Sequence, residues 1–492
     1  MSPIDSASAR IAQLCDALEA VVGADYVLRE PEELRAFECD ALTAYRGLPM
    51  IVVLPHTEQQ IVDIVKICRQ FAIPIVPRGA GTGLSGGAIP TEGSVVLATS
   101  RMNQVLDIDP LQRIGVVQPG VRNLAVSEAA SVFGLFYAPD PSSQLACTIG
   151  GNVAENSGGV HCLKYGLTLQ NLLRVRGVLS SGEIVEIGSH SADSGGLDLL
   201  PLITGSEGMM LVVTEVSLRL LPRPETARVI LASFDSNEAA ANAVAHIIAS
   251  GVIPAGLEMM DRATTQAVEA FVHAGYDLEA EALLLCESDG TRIEVEAEID
   301  HLQQLLTEAG ARRVAVSTTE EERQKFWSGR KNAFPAAGRL APDYYCIDGT
   351  VPRRGMAEIL GYIKTLESHY QLRCLNVFHA GDGNLHPIIL FNAADDAEWK
   401  RAKAFGDDIL IRCIEMGGSI TGEHGVGLEK LDTLCVQFTE AERECFMALK
   451  AAFDPTGLLN PGKGIPSLKR CAEFGREHVH HGERPFPDLE RF

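Results

Sequence analysis

Two histidines, His379 and His386, flank a turn signal, Gly381-Asp382-Gly383, and a second polar pair, Glu423-His424, sits in the glycine-rich stretch Gly417 to Gly427. A hairpin closing at Gly381–Gly383 would place both imidazoles on one face. Two imidazoles and one carboxylate make an open site for a divalent metal, because three protein ligands leave positions for a substrate. A His-x6-His pair alone is more often structural. The Glu423-His424 pair in the same half of the chain turns the reading toward a metal, and Zn²⁺, Mn²⁺ and Fe²⁺ all accept these ligand types. Arg330 by itself reads as an exposed helix arginine, although its guanidinium fork fits a carboxylate. The tail His478, His480 and His481 reads as a docking or solvated segment rather than a metal site.

The first half of the chain offers different chemistry. Pro77-Arg78-Gly79-Ala80-Gly81-Thr82-Gly83-Leu84-Ser85-Gly86-Gly87-Ala88 carries five glycines in twelve residues after the apolar run Ile73 to Val76. Glycine permits close backbone approach, so successive N–H groups can form a nest for an anion such as a pyrophosphate. No Gly-Lys-Ser/Thr follows, which excludes a Walker loop, and no long helix follows, which excludes a Rossmann fingerprint. Two further loops share this composition. One runs from Pro141-Ser142-Ser143 through Thr148-Ile149-Gly150-Gly151-Asn152 to Asn156-Ser157-Gly158-Gly159. The other is Gly205-Ser206-Glu207-Gly208, leading into Leu211 to Leu221.

These sites need several elements to hold them. A chain of 492 residues with 46% hydrophobic content suggests two or three domains. The formal charge of −23 argues against nucleic-acid binding. No run of 18 apolar residues is present, so no transmembrane span is expected, and Met1 to Ala20 does not read as a signal peptide. The twelve cysteines contain no C-x-x-C, which argues for reduced thiols and against an iron–sulfur cluster in this chain. Thr57-x-x-Gln60 reads as a capping box opening a helix with Ile61, Ile64, Val65, Cys68 and Phe71 on one face. Ser180-Ser181-Gly182 joins a hairpin of 172–179 and 183–187. Pro222-Arg223-Pro224 marks a boundary. Beyond it strands and helices alternate in the pattern of a helix-covered antiparallel sheet.

The three loops, in this order and spacing, resemble the FAD-binding domain of the vanillyl-alcohol-oxidase (PCMH-type) flavoprotein family. The resemblance implies that they surround the pyrophosphate and isoalloxazine of FAD. The cofactor-binding residues would be Pro77, Arg78, Gly79, Ala80, Gly81, Thr82, Gly83, Leu84 and Ser85. From the later loops come Pro141, Ser142, Thr148, Gly150, Gly151, Asn152, Asn156, Ser157, Gly158, Gly205, Glu207, Gly208 and Val212, with Asn460 from the C-terminal segment. Covalent relatives often carry a histidine in the first loop; Gly79 to Gly86 has none, so non-covalent FAD is expected.

His379-x6-His386 with Glu423-His424-Gly425 resembles the metal-dependent branch of FAD-linked 2-hydroxyacid dehydrogenases. That branch implies His379, His386 and Glu423 as metal ligands, His424 as general base and Arg330 as the anchor of the substrate carboxylate. The runs Arg330 to Pro335, Asp343 to Cys346 and Cys471 to Gly475 look most like its glycolate-oxidising members. The implied reaction is FAD-dependent oxidation of glycolate, and of D-lactate, to the 2-oxoacid. D-lactate or D-2-hydroxyglutarate dehydrogenase is the alternative, and a non-catalytic FAD-binding accessory subunit is the rival of another class. Partners implied are an iron–sulfur subunit and a second FAD-binding subunit. The location implied is cytoplasmic or peripheral at the inner face of the cell membrane. Phe334 and Ile388 stand where relatives that take D-2-hydroxyglutarate carry polar groups, so a second substrate carboxylate should be rejected.

The expected fold is α+β: a PCMH-type FAD-binding domain at 46–224 and a cap domain at 225–438. A helical segment at 1–45 precedes them, and a C-terminal segment at 439–492 returns to the FAD domain.

Overall fold

A computed structural model of the chain describes residues 3–191 and 196–466. The tail that carries Cys471, Phe474, His478, His480 and His481 lies outside the described residues.

The first half contains two sheets. A four-stranded sheet has the order Val27–Leu28, Ile51–Val53, Val95–Ala98, Ile75–Arg78. Its last two pairings are parallel. The helix Glu58–Phe71 crosses between two of its strands, and Thr57 caps it by accepting from the Gln60 amide at 3.2 Å. The Gln60 side chain accepts from His56 N rather than Thr57 N, so the expected capping box is shifted by one residue. Ile61, Ile64, Val65 and Cys68 are fully buried against the sheet, as the 3.6-residue spacing predicts. The apolar strand expected at Ile73–Val76 runs from Ile75 to Arg78. It tolerates Pro77 because it is an edge strand, where a missing N–H costs no ladder bond. The second sheet is antiparallel, ordered Val105–Asp109, Ile114–Val117, Val212–Arg219, Leu172–Val178, Ile184–Gly188.

The N-terminal segment is less purely helical than expected. Pro3–Val22 is a helix and packs Leu14, Leu18 and Val22 into the core of the first sheet. Val27–Leu28 then adds an antiparallel strand to that sheet.

The second half is built on a seven-stranded antiparallel sheet. Its order is Arg313–Val316, Thr226–Phe234, Ala282–Gly290, Gly256–Asp261, Arg373–His379, Asn384–Phe391, Asp343–Cys346. Successive strand residues point to opposite faces. Ile230, Ala232 and Phe234 join one apolar cluster while Val229 and Leu231 join another. Helices cover both faces, which explains why these strands read as continuous apolar runs. On one face lie Asn237–Ala249, Arg292–Glu308, Met356–Tyr370 and Asp396–Glu415; on the other lie Arg262–Val272 and Glu320–Lys331.

After the helix Glu440–Phe453, the segment through Leu459 returns to the first sheet, where Leu459 forms a parallel bridge with Ile75. Lys463 buries its ammonium against the carbonyls of Gly87 and Ile89. Among the described residues ten cysteines are free thiols, while Cys435 is disulfide-bonded. The expectation of reduced thiols throughout therefore fails at Cys435.

Candidate active site

The hairpin of the cap sheet does what its turn signal suggests. Arg373–His379 and Asn384–Phe391 pair antiparallel, with Val377 opposite His386 and His379 opposite Asn384. Both imidazoles thus project from one face, with ring centroids 4.9 Å apart. Glu423 enters from the glycine-rich loop. Its Oε1 lies 2.9 Å from His386 Nε2 and 3.1 Å from His379 Nε2. The potential ligand atoms of His379, His386 and Glu423 all lie within 4.8 Å of one another. Cys346, His386 and His424 form a second such group, but burial pushes the Cys346 thiol well above its ordinary range and makes it a poor ligand.

Buried acids hold these groups in place. Glu258 sits directly across the sheet from His379. Its Oε1 accepts from His379 Nδ1 at 2.7 Å and its Oε2 accepts from Arg330 Nε at 2.6 Å. Nδ1 is taken by Glu258, so Nε2 is the atom that faces Glu423 and the one that would ligate a cation once deprotonated. Arg330 is 3% exposed, not the solvated helix arginine that its local sequence suggests. Its Nε is used by Glu258, and its Nη2 lies 3.5 Å from His379 Nε2, which sets the Nη end beside the cluster. Asp348, fully buried, accepts from the backbone N–H of Gly422 at 3.0 Å and of His424 at 2.9 Å. It also accepts from Thr421 Oγ1 at 2.6 Å and Lys430 Nζ at 3.2 Å. Glu207, on a flavin-side loop, accepts from Val426 N and Gly427 N, both at 2.7 Å. The loop bearing Glu423 and His424 is therefore clamped by carboxylates from both halves of the molecule.

The electrostatics match this clamp. Burial acts to raise Glu423, and the charge and hydrogen bonds of His379 and His386 outweigh it, holding the carboxyl well below its usual range. Burial likewise opposes ionisation of Asp348, but the Lys430 ammonium, with His424 and His386 whenever they carry a proton, holds its carboxyl well below the usual range. Burial pushes His424 down to about 4, with Asp348 opposing and His386 assisting. His424 is therefore a neutral imidazole at ordinary pH, the state a proton acceptor needs. Its ring stacks on His386 at 4.9 Å, and its Nδ1 has no hydrogen-bond partner.

One cavity of about 540 Å³ joins this cluster to the glycine loops. Among the expected cofactor residues it is lined by Pro77 to Leu84, Pro141, Ser142, Thr148, Gly150, Gly151, Asn152, Ser157, Glu207, Gly208 and Val212. Arg330, His379, His386, Glu423 and His424 line its other end. The amides of Gly79 to Leu84 donate to no protein acceptor among the described residues, so the nest of N–H groups is free to hold an anion. A Cβ at Gly79 would collide with Thr148 Oγ1, which shows how tightly the first and second loops pack. Apolar walls from Pro119, Leu211 and Val213 suit a flat ring system. These features fit FAD.

Arg78 lines the cavity, and its guanidinium donates to Cys39 O and Ala88 O, which braces the loop. Some expected residues sit elsewhere. Ser85 is buried, and its carbonyl accepts from Leu428 N and Glu429 N. Asn156 ends the helix Ile149–Glu155 in a left-handed conformation and Gly205 also has positive φ, so both shape the turns. Gly158 packs against Glu423, and Asn460 donates to Gly87 O and Glu207 O. None of these four residues, nor Ser85, lines the cavity. Of the two residues expected to reject a second carboxylate, Phe334 lines the cavity while Ile388 is buried in the apolar cluster on the histidines' face of the sheet. Lys331 and Tyr344 line it instead.

The sequence reading missed Glu258, Asp348 and Lys430. Glu258 and Asp348 are charged side chains in otherwise apolar or glycine-rich runs, such as Gly256-Leu257-Glu258-Met259-Met260, and that mismatch was the available signal.

Residues 49–188 match the family described as FAD binding domain, and residues 223–464 match FAD linked oxidases, C-terminal domain. The chain belongs to this FAD-linked oxidase family and is a FAD-dependent oxidoreductase. It is 56% identical over 466 residues to "Glycolate oxidase subunit GlcD" of Escherichia coli (strain K12), covering 95% of this chain and 93% of the relative. It is 33% identical over 440 residues to "D-lactate dehydrogenase" of Anaerostipes hadrus, covering 87% of this chain and 92% of that one. The fold superposes on p-cresol methylhydroxylase with a TM-score of 0.81 at 18% identity, over 94% of this chain and 98% of that one. That likeness shows a shared fold.

Proposed function

We propose that the protein oxidises glycolate, and D-lactate as a second substrate, to the 2-oxoacid. It does so as the catalytic FAD-binding subunit of a glycolate oxidase. The observation that carries this is the single cavity shared by the FAD loops, Arg330, His424 and the His379–His386–Glu423 cluster. His379, His386 and Glu423 would hold one divalent cation, Zn²⁺, Mn²⁺ or Fe²⁺. When bound, the cation supplies a Lewis acid for the substrate's hydroxyl and carboxylate, and non-covalent FAD supplies a hydride acceptor. The Nη end of Arg330 grips the carboxylate while Glu258 keeps the guanidinium from turning away. His424, neutral and lacking a protein partner at Nδ1, takes the hydroxyl proton. Asp348 fixes its backbone position and stabilises the imidazolium that results.

The identity to a relative called a glycolate oxidase subunit favours glycolate, and the lower identity to a D-lactate dehydrogenase supports the second substrate. The word subunit in that name, and the absence of C-x-x-C from the sequence, support the assignment of partners. These are an iron–sulfur subunit and a second FAD-binding subunit that carry electrons onward to quinone. Among the described residues no helix is long and apolar enough to cross a membrane. That accords with a place in the cytoplasm or at the inner face of the cell membrane. An accessory role without catalysis would not require the complete set of Arg330, His379, His386, Glu423 and His424.

The test is a substrate panel on purified protein with an artificial electron acceptor, alongside elemental analysis of the bound metal. Glycolate should give the highest kcat/KM, D-lactate should follow, and D-2-hydroxyglutarate and L-lactate should be poor. If D-2-hydroxyglutarate proves best, the small-pocket reading fails and Lys331 is the cavity residue positioned to pair the second carboxylate.

A further inference from the structure

A second cavity, about 560 Å³, reaches the His–His–Glu cluster between the segment 159–170 that follows the second flavin loop and the hairpin tip at Asp382. His379 and Glu423 form part of its inner wall, so two members of the cluster are reachable from both cavities. Gln170 and Asp382, both exposed, lie at its edge. None of the glycine-loop residues Pro77 to Leu84 contributes to it.

The residues between its edge and the cluster form an ordered row. Asp382 is at the hairpin tip, Asn384 opens the returning strand, and His386 follows two residues later on the same face of that strand. Asn384 is 6% exposed, and its Oδ1 is buried with no hydrogen-bond partner. An orphaned buried amide oxygen costs free energy comparable to a lost hydrogen bond. Its retention beside a cluster of cation ligands therefore wants an occupant. Lys164, a cationic side chain in this cavity's wall, is tied to Asp289 through its Oδ1 and its carbonyl, both at 2.6 Å. Burial keeps the Cys162 thiol protonated, so it cannot trap a cation there.

We infer that the divalent cation enters and leaves its ligands through this second cavity, passed along the oxygens of Asp382 and Asn384, and not through the flavin-side cavity. The inference rests on the metal assignment proposed above. It means that a bound flavin and substrate need not be displaced for the metal to exchange, and that metal loading and flavin loading are kinetically independent. It also gives a use to the Asp382 and Asn384 that separate the two histidines in sequence.

A route and a ligand have different kinetic signatures. A way-station speeds arrival and departure equally, because both pass the same barrier, and leaves Kd unchanged. A ligand slows departure and lowers Kd. Two measurements with Zn²⁺ and a chromogenic chelator separate the cases. In the full-length protein, the rate of Zn²⁺ release should be the same with FAD bound and after FAD has been removed. Release that accelerates tenfold or more on FAD removal would show that the flavin-side cavity is the exit and overturn the inference. In Asn384→Leu, Zn²⁺ association and release should both slow by roughly the same factor, with Kd and flavin content unchanged. Unchanged rates in this variant, or a weaker Kd through faster release, would also overturn it. If the wild-type protein binds no Zn²⁺, Mn²⁺ or Fe²⁺ at its cluster, the metal reading falls and this inference falls with it.

Discussion

In the loop Gly79 to Leu84 the peptide N–H groups find no protein acceptor among the described residues, whereas around His379 the carboxylates of Glu258, Asp348 and Glu423 are all engaged by named donors. The flavin side is made of backbone and shape. Its specificity lies in where glycines allow loops to touch, as at Gly79 against Thr148. The cap side is made of buried charge, and its specificity lies in which acid faces which base. A backbone site is sensitive to added volume and indifferent to pH. A charge site is sensitive to the loss of one partner, because the group left behind is buried and uncompensated. The two meet where Glu207 of the flavin side holds the amides of Val426 and Gly427 beyond His424.

The largest effect should come from the cap side's reacting group. His424→Ala should slow reduction of the flavin by glycolate roughly 10²–10⁴-fold, the usual span for a lost general base. FAD and metal content should stay at wild-type levels, because the ring of His424 only stacks on His386. Stopped-flow reduction at saturating glycolate measures this. An unchanged rate would remove His424 from the chemistry.

Next come two substitutions that separate the halves. Glu258→Gln takes the charge from the group that fixes the tautomer of His379 and pairs Arg330. Metal affinity should weaken about 10–100-fold, the range found when such supporting carboxylates are lost, while FAD affinity stays. Gly79→Ala adds a methyl against Thr148 Oγ1. Overpacking costs about 1–3 kcal/mol, so FAD affinity should drop roughly 5- to 150-fold, while metal affinity stays. Flavin fluorescence and elemental analysis on both variants give the four readings. If either variant loses both cofactors together, the division between a backbone site and a charge site is wrong.

What was legible in the sequence follows the same division. Glycine and turn chemistry are local, so the three flavin loops, the hairpin at Gly381–Gly383 and the helix Glu58–Phe71 could be read directly. The continuous apolar strands were legible as strands because both faces of the cap sheet are covered. Glu258 and Asp348 were not legible as site residues, because their partners lie 121 and 76 residues away. Only the pairing of Gly256–Asp261 with Arg373–His379 sets Glu258 opposite His379. Ile388 misled for a related reason. Its place two residues after His386 does set it on the same face, but there it packs beside Leu375 in the apolar cluster that the helices cover, closed off from the cavity. Arg330 read as exposed because its helix is highly charged; burial came from Glu258 on a strand that the helix covers.

The smallest expected effect concerns how the two halves are tied together, and here charge does reach the flavin side. His161 Nδ1 lies 2.7 Å from Asp140, the residue before the Pro141 loop, and its Nε2 lies 3.1 Å from Glu287 of the cap sheet. Burial alone would lower the imidazole's pKa, but Asp140 and Glu287 outweigh it and hold His161 protonated well above the usual histidine range. Glu287 is in turn held down to about 2, against burial, by His161 and Arg323, with the Trp327 indole also donating to it. A histidine whose pKa is raised by folding contributes stability that is complete below its unfolded value near 6.5. That contribution is lost as pH rises through the higher folded value. The holoprotein should therefore lose a few degrees of Tm as pH rises above neutrality. His161→Gln, which keeps hydrogen bonding but does not titrate, should flatten that slope while lowering Tm at pH 6. Thermal unfolding of both proteins across this pH range measures it. Equal slopes would mean that the decline comes from groups elsewhere and that His161 is a neutral spacer between the two halves.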